Sequence, residues 1–156
     1  MKIMFICTGN ICRSAVAHRL LEKKIKDENI TNIEVFSCGT NAENGDVPTY
    51  NAIEVLKDYD VDMKVHRAIN ILNSDIQDMD LILCATNSHK RTVLLMYPQL
   101  KGKVYTLKEY VDYDKSKIDT DISDPWGYDI EVFRHCTVEI DRCLNLLIEK
   151  IEKENN

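Results

Sequence analysis

The sequence predicts a three-layer α/β fold in which a four-stranded parallel sheet carries helices on both faces. Short apolar runs, each long enough for one strand, recur along the chain between polar loops and segments with helical spacing. The run within residues 80–84 is almost uninterrupted, which is typical of a parallel strand buried on both faces. A strand, a helix and a second strand follow one another at the start, which predicts a βαβ unit and hence a parallel sheet.

Length and composition indicate one domain, residues 1–156. The chain is 44% hydrophobic and 29% charged, which is ordinary for a globular domain. Its net charge of −6 argues against a nucleic acid or an anionic membrane as partner, because either would require a basic surface. No apolar stretch approaches the length of a membrane span and no signal peptide precedes the first strand, so we expect a cytoplasmic protein without membrane insertion.

The chain has six cysteines, and we expect them to be reduced. A domain of this size does not need a disulfide framework to bury a core. Cysteines and histidines do not occur at the spacings of a zinc site. We therefore expect neither a structural metal nor a cofactor.

The first half of the chain predicts two strands and two helices. Residues 2–6 are apolar and rich in strand formers, and residues 14–24 have helical spacing. Residues 33–37 alternate like a second strand. A polar loop over residues 37–48 then leads to a helix over residues 49–59.

The second half predicts two more strands and two more helices. A short turn over residues 75–79 precedes the buried strand at residues 80–84. A helix over residues 88–97 and a fourth strand over residues 103–107 follow. Residues 130–151 keep one apolar face over six helical turns and predict a packing helix.

The residues between the first strand and the first helix combine a nucleophile, a cation and a turn: Cys7-Thr8-Gly9-Asn10-Ile11-Cys12-Arg13-Ser14. We call residues 7–14 the anion-binding loop. A helix N-terminus binds anions because its first N–H groups are unpaired and the positive end of its dipole lies there. Five residues between Cys7 and Arg13 allow the N–H groups to curl around one phosphoryl group. Gly9 and Asn10 tolerate the left-handed conformations that such a curl requires.

Cys7 and Arg13 predict phosphoryl-transfer chemistry. The planar fork of Arg13 can hold two phosphate oxygens and leave Cys7 beneath the phosphorus. The same donors stabilise a thiolate, and the Ser14 hydroxyl can add a hydrogen bond to the sulfur. Cys136 and Arg142 repeat the spacing, but they fall within the predicted final helix, where the intervening residues cannot curl around an anion.

The anion-binding loop directly after an N-terminal strand resembles that of the low-molecular-weight protein tyrosine phosphatases. A second signature of that family, Asp124-Pro125-Trp126-Gly127, stands just before the final helix. The resemblance covers nearly the whole chain and implies hydrolysis of phosphotyrosine and small aryl phosphates through a cysteinyl-phosphate intermediate. We expect the strand order 2-1-3-4, with the site at the carboxyl end of the first strand.

The resemblance also implies roles for individual residues. Cys7 is the nucleophile, Arg13 holds the phosphoryl oxygens, and Asp124 acts as general acid and then as general base. Ser37 and His66 are expected to orient the loop asparagine. The implied substrate-binding residues are Thr8, Gly9, Asn10, Ile11, Cys12, Ser14, Trp126 and Tyr128.

Phosphotyrosine proteins are the implied partners, and inorganic phosphate or vanadate are the implied active-site anions. Redox regulation is also expected, because the family carries a cysteine at the place of Cys12. A thiolate such as that of Cys7 reacts with peroxide to a sulfenic acid, which a second thiol can trap as a disulfide. The family usually has an aromatic residue on the rim of the site, where this chain has Glu43.

Two alternatives belong to other functional classes. An arsenate reductase of the same fold needs two further cysteines, and although Cys84 is a candidate for the first, Arg91 stands seven residues later. A non-catalytic phosphoprotein-binding module would keep the loop but tend to lose the acid, and Asp124 is present. The segment Asp119-Thr120-Asp121 is a poor match to an aspartyl-phosphate phosphatase, since no apolar strand precedes it.

Overall fold

The computed structural model describes residues 1–114 and 119–155, and within them four parallel strands form one sheet with the order β2-β1-β3-β4. The strands are β1 (Lys2–Cys7), β2 (Glu34–Gly39), β3 (Leu81–Cys84) and β4 (Val104–Thr106). The predicted fold class and strand order are therefore confirmed.

Five α-helices surround the sheet in the described part of the chain. They are α1 (Arg13–Asp27), α2 (Tyr50–Lys57), α3 (Asn87–Met96), α4 (Leu107–Tyr110) and α5 (Ile130–Glu154). Short 3₁₀ turns lie at Met63–Val65, Ile71–Asn73, Ile76–Asp78 and Pro98–Leu100. Residues 115–118, which lie between the predicted fourth strand and the final helix in the sequence, are outside the described residues.

The side chains of β1 alternate between two hydrophobic cores. Ile3 and Phe5 pack in the larger core with α1, α2 and α5. Met4 and Ile6 pack in the smaller core on the opposite face, with α3. Because both faces of the sheet are buried, β1 and β3 stand in the sequence as continuous apolar runs.

All four strands differ from their predicted ranges by one or two residues at an end, and for two of them the contacts show why. β2 extends to Gly39 because Gly39 pairs with Cys7 and donates its N–H to the Ile69 carbonyl at 2.9 Å. β4 ends at Thr106 because this residue caps a helix: its Oγ1 accepts the Glu109 N–H, and the Glu109 carboxylate accepts the Thr106 N–H. This capping box begins α4, which we did not predict.

The final helix α5 confirms the predicted packing helix. It begins after Asp129, whose carboxylate accepts the Val132 N–H at 3.2 Å. The residues between Cys136 and Arg142 are helical, so the second copy of the cysteine–arginine spacing forms no loop. Among the described residues, no helix is both long and apolar enough to cross a membrane.

The topology of the sheet determines where a ligand crevice opens. The carboxyl ends of all four strands meet at the same edge because the strands are parallel. The chain turns to opposite sides of β1 when it forms β2 and β3, and such a switch point opens a crevice at the carboxyl ends of the strands. The anion-binding loop begins at this crevice.

Candidate active site

The anion-binding loop leaves the carboxyl end of β1 and enters α1 at Arg13. Asn10 has a φ of 56° and is fully buried, so it adopts the left-handed conformation that we predicted. Gly9 does not share this conformation, which corrects our expectation. A Cβ at Gly9 would lie 3.4 Å from Ile11 Cγ1, which is ordinary van der Waals contact.

Cys7 forms the floor of the loop and is only 1% exposed. Its Sγ accepts the Asn10 N–H at 3.3 Å and lies 2.9 Å from Ser14 Oγ. These two contacts place hydrogen-bond donors on the sulfur, as a stabilised thiolate requires.

A chain of hydrogen bonds determines where the Ser14 hydroxyl points. The Ile69 N–H donates to Asn10 Oδ1 at 3.0 Å, so the other end of the amide, Nδ2, faces Ser14 and donates to its Oγ at 2.9 Å. The Ser14 oxygen is thus already an acceptor, and its own proton can go to Cys7 Sγ. The competing acceptor, the Cys38 carbonyl, is farther away at 3.5 Å.

Arg13 is buried, and its guanidinium is only partly satisfied. Nη1 donates to the Ile122 carbonyl at 3.0 Å, and Nη2 lies 3.5 Å from Asp124 Oδ2. The buried Nε has no hydrogen-bond partner among the described residues. A buried unpaired donor is unfavourable, and a phosphate oxygen at the cleft would satisfy it.

Asp124 lies at the mouth of the site, and the neighbouring Asp121 does not. The Asp124 side chain is 53% exposed, and its Oδ1 accepts the Trp126 N–H at 3.1 Å. Asp121 instead accepts the Asn87 N–H at 2.7 Å at the start of α3, and so anchors its segment to that helix. Of these two carboxylates, the structure brings Asp124 to the loop.

A cleft of about 250 Å³ opens above the loop. Ile11 and Trp126 give its mouth an apolar character, and Trp126 is 64% exposed. Tyr128, an implied substrate-binding residue, is also exposed, but it is not among the described residues that line the cleft. The lining residues are Cys7, Thr8, Gly9, Ile11, Cys12, Arg13, Asp124 and Trp126.

His66 contacts Asn10 as predicted, whereas Ser37 does not take the expected place. His66 Nε2 lies 2.9 Å from the Asn10 carbonyl. Ser37 Oγ lies 2.6 Å from His18 Nδ1, which corrects the prediction that it orients Asn10. The physical reason is that the Asn10 side chain is already bound by Ile69 and Ser14, while His18 brings a ring nitrogen to Ser37.

His89 is a supporting residue that the sequence analysis missed. Its Nε2 lies 2.8 Å from Thr8 Oγ1 and its Nδ1 lies 2.8 Å from Thr86 Oγ1. Burial, with the nearby Arg13 charge, lowers the pKa of His89 to about 4, so the ring is neutral near pH 7. His89 therefore ties the second residue of the loop to the start of α3. Thr86 stands three residues before His89, which is the spacing of a helix cap. Nothing in the neighbouring sequence, however, connects His89 to Thr8.

Gly39 is a second residue that we did not single out. A Cβ at this position would lie 2.4 Å from the Thr8 carbonyl oxygen and 3.0 Å from the Asn10 nitrogen. Only glycine allows β2 to approach the loop this closely, so the last residue of β2 helps to define the shape of the anion site.

All six cysteines are unpaired. Burial, together with neighbouring Cys7 and Asp124, raises the pKa of the Cys12 thiol, whose Sγ lies 3.9 Å from Asp124 Oδ1. Cys84, the candidate shuttle cysteine of a reductase, is fully buried in β3, and burial raises its pKa. An inaccessible, protonated thiol is poorly suited to disulfide exchange, which disfavours the reductase alternative.

Comparison with known proteins places the chain among phosphatases. A family model described as low molecular weight phosphotyrosine protein phosphatase matches residues 2–156. A protein-arginine-phosphatase of Geobacillus stearothermophilus is 35% identical over 98% of this chain and 97% of that protein. The solved structure of the arginine phosphatase from that species has a TM-score of 0.88 and covers 98% of this chain and 94% of that chain.

Two further solved structures are similar over almost their whole length. A low molecular weight protein tyrosine phosphatase from T. tengcongensis is 35% identical with a TM-score of 0.87, covering 96% of this chain and 99% of that chain. A Vibrio vulnificus protein in complex with benzylphosphonate is 29% identical with a TM-score of 0.82, covering 96% of this chain and 97% of that chain. The relatives thus share one fold, while their names refer to two different phosphorylated amino acids.

Proposed function

The chain belongs to the low-molecular-weight phosphotyrosine protein phosphatase family, and we propose that it hydrolyses phosphotyrosine in proteins through a cysteinyl-phosphate intermediate. The observation that carries this proposal is the cleft at the end of β1, where Cys7, Arg13 and Asp124 lie together beneath an apolar mouth. The whole chain, residues 1–156, acts as one catalytic domain.

In the first step the Cys7 thiolate attacks phosphorus and the bond from phosphorus to the tyrosine oxygen breaks. Arg13 binds the phosphoryl oxygens through Nε, which is unpaired among the described residues, and Nη2. The loop N–H groups share the charge of the equatorial oxygens. Asp124 transfers its proton to the departing phenolic oxygen as general acid.

In the second step water attacks the phosphorus of the cysteinyl phosphate. Asp124, now a carboxylate, accepts a proton from that water as the sulfur–phosphorus bond breaks. Cys7 returns as a thiolate, which the Ser14 hydroxyl and the Asn10 N–H stabilise. Inorganic phosphate leaves, and the site is restored.

The apolar mouth of the cleft supports an aromatic substrate. A phenyl ring packed between Ile11 and Trp126 removes apolar surface from water and gains an aromatic contact. The charged guanidinium of phosphoarginine would exchange water for the same apolar side chains, which is unfavourable without polar partners.

Phosphoarginine is the second candidate substrate because two relatives that match nearly the whole chain are named protein-arginine-phosphatases. The same loop would bind its phosphoryl group, and Asp124 would protonate the departing guanidine nitrogen. The two candidates therefore differ in the bond that breaks, phosphorus–oxygen or phosphorus–nitrogen, and in the group that the mouth of the cleft binds.

Two peptides of identical sequence, one with phosphotyrosine and one with phosphoarginine, discriminate between them. We expect a higher kcat/KM for the phosphotyrosine peptide and a selective loss of this preference in Trp126→Ala. Cys7→Ser is the control for background hydrolysis. A wild-type preference for phosphoarginine would transfer the proposal to the second candidate. Phosphate binding without turnover of either peptide or of p-nitrophenyl phosphate would indicate a binding module.

A further inference from the structure

A polar cluster lies behind the anion-binding loop, and the proposed chemistry does not use most of it. Both of its histidines, His18 and His66, are buried, and its Arg19 side chain is 23% exposed. The cluster consists of His18, Arg19 and Glu22 on α1, Ser37 on β2, and His66 after the first 3₁₀ turn.

The two hydrogen-bond partners of His66 determine which of its ring nitrogens carries the proton. Nε2 lies 2.9 Å from the Asn10 carbonyl, which can only accept, so Nε2 must carry a proton. Arg19 Nε can only donate, and it lies 3.0 Å from His66 Nδ1, so Nδ1 must carry a lone pair. Both partners demand the same neutral tautomer. Burial also lowers the pKa of His66 to about 4, in agreement with this geometry.

The direction of the Asn10 carbonyl decides what the loop offers to an anion. Within a planar trans peptide the C=O and the following N–H point in opposite directions. When His66 holds the Asn10 carbonyl away from the loop, the Ile11 N–H points toward the loop interior. A rotated peptide would turn a carbonyl oxygen toward the anion instead.

We propose that Arg19 is a positioning residue: its guanidinium holds His66 in the tautomer with the proton on Nε2, and this tautomer keeps the Ile11 N–H directed at bound phosphate. Arg19 is itself held by Glu22, whose Oε1 accepts from Nη1 at 2.9 Å. The proposal rests on the proposed function only in that the loop binds a phosphoryl group.

The rest of the cluster packs around the same ring. His18 meets His66 edge to face with 5.8 Å between the ring centroids. Its Nε2 lies 3.6 Å from Glu22 Oε2, and its Nδ1 is bound by Ser37. The ring of His66 is therefore confined on one side by His18 and oriented on the other by Arg19.

A matched pair of substitutions separates the hydrogen bond from packing. Arg19→Gln places an amide nitrogen at the position of Nε and so keeps a donor for His66 while removing the charge. Arg19→Met places a methyl group there and removes the donor at similar length. We expect phosphate affinity to fall about tenfold in Arg19→Met, the effect of one lost hydrogen bond to a charged group. In Arg19→Gln we expect it to stay within about twofold of wild type.

Two measurements do not depend on turnover. The dissociation constant for inorganic phosphate follows from the fluorescence of Trp126, the single tryptophan of the chain, which lines the cleft. The tautomer of His66 follows from ¹⁵N NMR of histidine-labelled protein, with His66→Gln to identify its signal among the four histidines. We expect the Nε2-protonated neutral form in the wild type and in Arg19→Gln, and loss of that single form in Arg19→Met.

The Arg19 variants can give two results that contradict the proposal. Wild-type phosphate affinity and an unchanged tautomer in Arg19→Met would overturn the proposal. So would equal loss of affinity in Arg19→Gln and Arg19→Met with an unchanged tautomer, because Arg19 would then act through its charge. Should Arg19→Met fail to fold, Glu22→Gln tests the same chain of contacts and should weaken phosphate binding by a smaller factor; unaltered affinity there would count against the proposal. Absence of wild-type turnover would remove the proposed function alone, since both readouts remain measurable.

Discussion

Replacing Gly39 with alanine should deform the anion-binding loop, although Gly39 belongs to β2 and touches no substrate. The added Cβ would lie 2.4 Å from the Thr8 carbonyl oxygen and 2.9 Å from Ala42 Cβ, whereas ordinary van der Waals contact begins near 3.4 Å. The Thr8 carbonyl or the end of β2 must therefore move by about 1 Å. The carbonyl is backbone and already accepts the Asn41 N–H at 2.9 Å, so no side-chain rotation can relieve the overlap.

The expected effect of Gly39→Ala is larger on catalysis than on stability. A misplacement of about 1 Å in a site that positions reacting atoms lowers the rate by roughly 100-fold. Overpacking of this kind costs about 1–3 kcal/mol of unfolding free energy. We expect kcat/KM for p-nitrophenyl phosphate to fall about 100-fold, phosphate binding to weaken, and the melting temperature to decrease moderately.

Gly102→Ala is the matched control for a general loss of stability. Gly102 has a φ of 93° and precedes β4 at the edge of the sheet opposite the cleft. A Cβ added there would meet no atom of the described residues within 4 Å. Alanine at this φ is strained by about 1–2 kcal/mol without touching the loop, so kcat/KM should be unchanged. Wild-type kcat/KM in Gly39→Ala, or an equal loss in Gly102→Ala, would refute the reasoning.

Four further predictions concern single side chains. Arg13→Lys should be severely impaired in kcat/KM, because it keeps the charge but loses the planar fork; near-normal hydrolysis would remove bidentate phosphate binding from the mechanism. Asp124→Ala should lower kcat/KM on phosphotyrosine by about 10²–10⁴-fold and less on esters with very good leaving groups, whereas Asp121→Ala should keep most activity; the reverse ranking would reassign the acid. Peroxide should inactivate the wild type reversibly, with activity restored by a thiol reductant, while Cys12→Ser stays inactive; equal recovery would deny Cys12 a protective role. Because the pKa of His89 is about 4 when folded and 6.5 when unfolded, its contribution to stability is complete above pH 6.5 and is lost as the pH falls toward 4. His89→Gln should make the fall of the melting temperature over that interval less steep, while His66, whose pKa is also about 4, still contributes; a curve identical to the wild type would contradict this.

The sequence predicts the parts of the site that are local in the chain. The loop from Cys7 to Arg13 is a single strand-to-helix connection, so its spacing and flanking pattern predict its position and the left-handed Asn10, although not the conformation of Gly9. Thr106 and Glu109 form the Thr-x-x-Glu pattern of a capping box, and α4 could have been predicted from it. The apolar residue that follows Thr106 instead favoured a longer strand.

The supporting contacts could not be predicted because they join distant parts of the chain. Thr8 and His89 are 81 positions apart, and Arg19 and His66 are 47 apart. Nothing local distinguishes a histidine that binds a loop from one that lies in a core. The resemblance predicted that His66 contacts Asn10, and His66 does contact the Asn10 backbone carbonyl. It also predicted that Ser37 orients Asn10, but Ser37 contacts the side chain of His18 instead.

The fold around the anion-binding loop holds the donors of the site in the arrangement that a phosphoryl group needs. Among the described residues the buried Arg13 Nε has no hydrogen-bond partner, and since a buried donor left unpaired costs about 1–3 kcal/mol, a phosphoryl oxygen bound there would be favoured. The relay from Ile69 through Asn10 to Ser14 sets the hydroxyl before any substrate arrives. The donors thus need little reorganisation when charge develops on the phosphoryl oxygens and the sulfur, which is the condition under which electrostatic stabilisation contributes most to the rate.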